Sequence, residues 1–161
     1  MLGVVLARAS AMPLTRLAEQ RLFEPLGIDT YRWPTDPHGN PLGHGHLELR
    51  PRDLVRLGQL YLDSGRREDV QVLPASFVDA ATTAQSPGGP PEGVPYGYLW
   101  WITEDRGYRS FFAGGFGGQY LTVVPELALV VVTTGDVDVF TETSRNLRRL
   151  VGEVVIPALT P

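Results

Sequence analysis

The sequence predicts an α+β fold, with helices first and then an antiparallel sheet that carries a covering helix at its C-terminal end. Three observations carry that expectation. Apolar residues recur at helical spacing before about residue 85, and the period changes from 3.6 to 2 after residue 96. The connections between the later strands are also too short for parallel crossovers. A chain of 161 residues suits one domain with a real core.

The elements run in order along the chain. Residues 2–11 make a short apolar helix. Pro13 suits the first turn of a second, with Leu14, Leu17, Leu22 and Phe23 on one stripe and Gly27 as its stop. Residues 28–46 read as irregular, rich in proline and glycine, and hold all three histidines. A helix runs from Pro51 to about Ser64, with Leu54, Leu57, Leu60 and Tyr61 inward and Gly65 ending it. A shorter one starts at Pro74. The segment "SPGGPPEGVP", 86–95, is a loop by composition.

Four strands are expected next: "YGYLWWITED", "RSFFAGG", "GQYLTVVPE" and "LALVVVTTG". Their turns fall at Asp105-Arg106-Gly107, Gly117-Gly118 and Pro125-Glu126. "LALVVV" is apolar on both faces, which suggests a central strand. A last helix over about 140–156 turns Phe140, Leu147, Leu150, Val151 and Val154 toward the sheet. Such a sheet with one covering helix leaves a face and an edge unprotected. The chain therefore reads as the second part of something larger.

Composition excludes several classes. The formal net charge is −4 and the arginines are scattered, which opposes nucleic-acid binding. No apolar run reaches the roughly 20 residues of a membrane span. There is no cysteine, hence neither disulfide nor thiolate chemistry. There is no lysine either, so all fourteen cations are arginine. The glycine cluster Gly114-Gly115-Phe116-Gly117-Gly118 is therefore not a phosphate-binding P-loop, which needs a lysine and a following helix. Glycine within a strand marks a bulge or a close approach to bare backbone.

The segments "RLFEPLGI", "GHGHLELRPRDLVRLGQLYLDSGR", "QVLP", "YGYLWW" and "GGFGGQYLTVVPELALVVVTTG" occur in that order. Together they resemble the C-terminal part of the serine β-lactamase and penicillin-binding-protein-like hydrolases, in the class C β-lactamase and esterase branch. The resemblance covers nearly the whole chain, and its specificity lies in the ordered series. It implies a partial β-lactamase/transpeptidase-like fold. Residues 1–161 would form a single incomplete domain, with 1–85 in the helical region and 96–161 supplying the C-terminal strands and last helix.

The activity implied is acyl transfer by a serine in S-x-x-K, assisted by a Y-x-N tyrosine, on a β-lactam, D-alanyl peptide or ester. No cofactor or metal is expected. The family's third motif aligns with Ala113-Gly114-Gly115. The residue after it, Phe116, would give a backbone N–H to the oxyanion hole. Ala113, Gly114, Gly115 and Gly117 would then line the substrate strand, because a ligand adding to a strand edge needs bare backbone. His44 would line the cleft ahead of the "RPRDL" helix. Without the resemblance, the glycines fit a bulge and tight turn better than a ligand-facing strand.

The chain departs from the pattern in its catalytic half. None of its serines begins S-x-x-K, no tyrosine begins Y-x-N, and Ala113 stands where a cation is common. "SRN" at 144–146 falls after the third motif and is taken as chance. The nucleophile segment is expected upstream of Met1, and the isolated chain is expected to be inert, or to act only when an N-terminal half completes it around a small-molecule or peptide substrate. A lactamase or D,D-peptidase parent would be exported, an esterase cytoplasmic.

Two other readings stay open. One is a non-catalytic descendant that binds ligands along the glycine strand. The other is a metal-dependent hydrolase built on His38, His44 and His46, since H-x-H on a strand can chelate. Asp53 reads as a helix-start carboxylate favoured by the macrodipole. Trp100 and Trp101 point to opposite strand faces, and Gln119 and Tyr120 read as structural.

Overall fold

Helix α1 spans Leu2–Ser10, and α2 begins at Leu14 after Pro13. The computed structural model to which these elements belong describes residues 2–43, 45–136 and 147–160. Helix α2 is composite: Leu14–Ala18, a π-helical turn over Glu19–Phe23, then Glu24–Leu26, closed by Gly27 at φ 66°. The wide turn comes just before Pro25, where a helix must accommodate a residue with no amide to donate. It also shifts the phase of the apolar stripe. Leu14, Phe23 and Leu26 are buried, whereas Leu17 and Leu22 are only half-buried.

The stretch expected to be irregular contains one short strand, β1 Tyr31–Arg32, which pairs antiparallel with β2 Glu48–Leu49 just beyond it. Helix α3 covers Pro51–Leu62. Leu60 is buried in it, and Leu57 and Tyr61 pack against the core clusters. Asp53 is more than a helix-start charge. It is 2% exposed and paired with Arg56 at 2.7 Å, while the same guanidinium donates to the Gly27 carbonyl and ties α3 to the end of α2. A hairpin not foreseen follows, β3 Arg66–Arg67 with β4 Val70–Gln71. Helix α4 is Ala75–Ala81.

The main sheet is an antiparallel meander in the order β5-β6-β7-β8: Trp101–Asp105, Tyr108–Gly115, Gln119–Val124 and Leu129–Thr133. A final helix, α5, occupies 149–159, with a π turn at Val151–Val155 before Pro157. The sheet has a layer on each face. On one, Leu57 and Tyr61 of α3 and Ala81 of α4 meet Phe111, Leu121, Val123, Val130 and Val132. On the other, Val151 and Ile156 of α5 meet Val124, Leu129 and Val131. Burying a side chain such as Val123 or Ile156 contributes about 1.5–3 kcal/mol.

Gly58 sets the approach of α3 to the sheet. A Cβ there would lie 2.5 Å from Val130 Cγ1 and 2.8 Å from Leu121 Cδ1, so the helix backbone rests directly on β7 and β8.

Three expectations are corrected. Among the described residues β8 is not central; its one strand partner there is β7, and it lies at the edge of the described sheet. Its residues are apolar on both sides because a helix covers each face of the sheet, and every one of them is half-buried. The first expected strand is shorter than "YGYLWWITED", because Leu99 at φ 66° interrupts it and β5 begins at Trp101. In α5 the inward residues are Val151 and Ile156; Leu150 and Val154 are exposed, since the π turn moves them off the buried face. Phe140 and the 144–146 segment lie outside the described residues. No helix among the described residues is long and apolar enough to cross a membrane.

Candidate functional site

The site begins with a local distortion ahead of β5. Gly97 is wedged against the end of α4, where a Cβ would fall 2.1 Å from the Ala81 carbonyl oxygen. Its N–H donates to the Trp100 carbonyl, and the Tyr98 N–H donates to the Ala81 carbonyl. These bonds hold residues 97–100 away from the line of the sheet. Pairing of β5 with β6 consequently starts at Trp101↔Phe112 and runs to Asp105↔Tyr108.

On its other side, β6 pairs with β7 from Phe111↔Val123 to Gly115↔Gln119. The last three residues of β6, Ala113, Gly114 and Gly115, thus have a strand partner on one side only. Their second edge is open among the described residues. The chain then turns through Phe116, Gly117 and Gly118. Gly117 and Gly118 adopt φ 77° and 85°, a region that glycine enters without strain. Gly135 comes down on this turn: a Cβ there would lie 2.1 Å from the Gly117 carbonyl oxygen. Gln119 Nε2 completes the clamp by donating to the Gly135 carbonyl at 2.7 Å.

A cleft of about 580 Å³ opens here. Gly114, Gly115, Phe116 and Gly117 line it, and Phe116 is 65% exposed. Ala113 does not line it. Its side chain packs with the core on the α3 side, while its backbone shares the open edge. His44 lies outside the described residues. Trp100 is the core tryptophan, with its ring 4.6 Å from Tyr61 and 5.1 Å from Phe111, while half-buried Trp101 lies against Tyr96 with the rings tilted.

Several lining residues were not singled out from the sequence. Arg148, next to Arg149 in the sequence, sits over the Phe112 ring at 4.7 Å from the centroid. Its guanidinium reaches both Asp105 oxygens at 3.0 Å, and Ser110 Oγ donates to Asp105 at 2.6 Å. Asp105, expected as a turn residue, is 7% exposed and anchors this wall. Glu92 comes from the proline- and glycine-rich loop. It accepts a long bond from the Tyr120 hydroxyl at 3.5 Å and lies above Gly114, 3.4 Å from where a Cβ would be. The register Gly114↔Tyr120 is the signal that tied Tyr120 to the glycine strand. Glu92 carries no such signal.

For the histidine cluster, the His38 amide donates to Asp36 Oδ1 at 2.8 Å within a tight turn. Among the described residues, no group of three or more His, Cys, Asp or Glu side chains is gathered to hold a metal ion.

A sheet between two helical layers, with an open-edged glycine strand beside a polar cleft, has the features of a β-lactamase-like hydrolase fold. Residues 1–153 match the family described as Beta-lactamase, and the chain belongs to that family. Three solved structures share the fold. A Bacillus anthracis protein assigned as a 6-aminohexanoate-dimer hydrolase superposes with a TM-score of 0.83 at 22% identity, over 98% of this chain and 41% of its own. A Bacteroides dorei protein assigned as a β-lactamase gives 0.69 at 18% identity, over 96% of this chain and 55% of its own. A penicillin-binding protein homologue of Caulobacter crescentus gives 0.56 at 16% identity, over 84% and 50%. The chain therefore spans about half the length of these proteins or less. No curated protein sequence matches it.

Proposed function

We propose that this chain is the C-terminal part of a β-lactamase-like serine hydrolase that works through an acyl-enzyme, and that alone it is inert. The observation that supports this most is the open edge of Ala113–Gly115 leading into Phe116 at the cleft. An acyl substrate laid along that edge by backbone hydrogen bonding would bring its carbonyl to the turn. The Phe116 N–H would then be one donor to the oxyanion, the kind of contact worth several kcal/mol in the transition state.

The serine, its lysine and the Y-x-N tyrosine would come from a segment N-terminal to Met1. Serine oxygen adds to the carbonyl carbon as its proton passes to the base. The oxyanion then collapses with loss of the leaving group, and water hydrolyses the ester so formed. The substrate class is an activated or linear acyl compound: a β-lactam, a D-alanyl peptide, an ester, or a linear amide of the sort named for the B. anthracis neighbour.

Two measurements test this reading. The purified 161-residue chain, given nitrocefin and p-nitrophenyl butyrate, is expected to show no turnover above buffer. Turnover by the chain alone would overturn the assignment of the nucleophile to another segment. The reading frame upstream of the Met1 codon is expected to encode S-x-x-K and then Y-x-N. A stop codon and ribosome site there would favour the ligand-binding descendant instead, for which the same open strand edge is the supporting observation.

A further inference from the structure

The cleft beside the glycine strand has charges of both signs, and they are not equivalent. Arg148 is neutralised by Asp105, with both carboxylate oxygens at 3.0 Å, and its guanidinium lies over the Phe112 ring. Arg149 is exposed, where solvent and salt screen it. Glu92 differs from both. It is half-buried, and no cation pairs with it among the described residues. Its neighbour is the Tyr120 hydroxyl at 3.5 Å, which supplies a dipole but no charge.

Position gives this carboxylate its meaning. Gly114 has no side chain, and the space its Cβ would occupy is bounded by the Tyr120 ring at 3.0–3.3 Å and by Glu92 Oε1 at 3.4 Å. A negative charge thus hangs over the bare backbone of the strand, on the face from which Phe112 also lines the cleft. A half-buried carboxylate without a counter-ion favours a cation brought to it and opposes an anion.

We infer that Glu92 is a specificity residue, which makes the Gly114 end of the cleft a subsite for a cationic amine on the ligand lying along β6. This rests on the reading that the open edge receives a ligand. The ligand so recognised is an extended acyl compound or peptide with a side-chain or terminal ammonium next to the segment that pairs with Ala113–Gly115. Carboxylates at the same position are disfavoured.

The test uses the full chain and three peptides that share one backbone: acetyl-Ala-Lys-Ala-amide, its norleucine analogue and its glutamate analogue. Binding is read from the NMR shifts of the Gly114 and Gly115 amides at low salt. The lysine peptide is expected to bind roughly three- to fivefold tighter than the norleucine peptide, the range of a partly exposed charge pair, and the glutamate peptide weakest. Glu92→Gln is expected to erase that order. Glu153→Gln, which changes the net charge equally at an exposed site on α5, is expected to leave it intact.

Equal binding of all three peptides, or an order that survives Glu92→Gln, overturns the subsite while leaving the ligand strand standing. Loss of the order in Glu153→Gln as well would assign the preference to net charge and overturn it too. If no peptide moves the Gly114 and Gly115 amides, the strand receives no extended ligand, and both this inference and the reading beneath it fall.

Discussion

The two halves of β6 are built for opposite purposes. Phe111 and Phe112 are each at most 2% exposed and have a strand on both sides, and Ser110 just before them is fully buried. A little further on, Gly114 and Gly115 are exposed, carry no side chain and, among the described residues, have a strand on one side only. One half spends its side chains on the core, with Phe111 against Trp100 and Tyr61 and Phe112 under Arg148. The other withholds side chains so that its backbone stays approachable. A strand held firmly at one end can keep an unpaired edge open at the other, which an isolated glycine hairpin cannot do.

Perturbing the two halves should separate stability from ligand access. Phe111→Ala is expected to cost the most, about 3–5 kcal/mol in urea unfolding, because a ring buried between α3 and the sheet leaves a cavity. Asp105→Ala comes next at about 3 kcal/mol. It strands the Arg148 guanidinium and the Ser110 hydroxyl beside the aromatic half, and it also loosens a wall of the cleft.

Gly117→Ala lies in the other half and forces a side chain into φ 77°, an expected loss of about 1–2 kcal/mol. Gly114→Ala is expected to change stability by less than about 1 kcal/mol, since Tyr120 and Glu92 need only yield a few tenths of an ångström. It should nonetheless weaken peptide binding measurably. A large stability loss with no change in binding would erase the distinction between the halves.

The aromatic half also has a pH signature. Burial among Trp100 and Phe111 raises the Tyr61 phenol above its ordinary value. In the unfolded chain Tyr61 ionises first, so its contribution is fully present below about pH 10 and is lost as pH climbs toward the raised folded value. Wild-type stability should fall more steeply above pH 10 than that of Tyr61→Phe, measured as melting temperature against pH.

Much of this was legible in the sequence, for reasons that differ between elements. The change from helical to strand period and the short turns announced the meander, because both are local properties. The glycines named the strand end that would be bare. The edge position of β8 among the described strands was not legible: apolarity on both faces reports how many layers cover a sheet, and is silent about lateral neighbours. Val130 and Val132 face α3 while Leu129 and Val131 face α5.

The buried faces of α2 and α5 were misjudged because each helix has a π turn next to its proline, and the extra residue rotates the next turn of helix about the axis. Leu26 and Ile156 are buried as a result. Glu92 escaped notice since a loop of prolines and glycines gives no periodicity from which to infer its neighbours. Nothing local ties Arg148 to its partner, Asp105, which lies 43 residues away.

Native-state hydrogen exchange along β6 tests the central claim most directly. The amides of Phe111 and Phe112 should exchange only with global unfolding, and the outward-facing amides of Ala113–Gly115 roughly 100-fold faster or more. Adding a peptide that binds the strand should slow only the second group. Equal protection at both ends of β6 without ligand would show that the glycine edge is already paired, and would contradict the account.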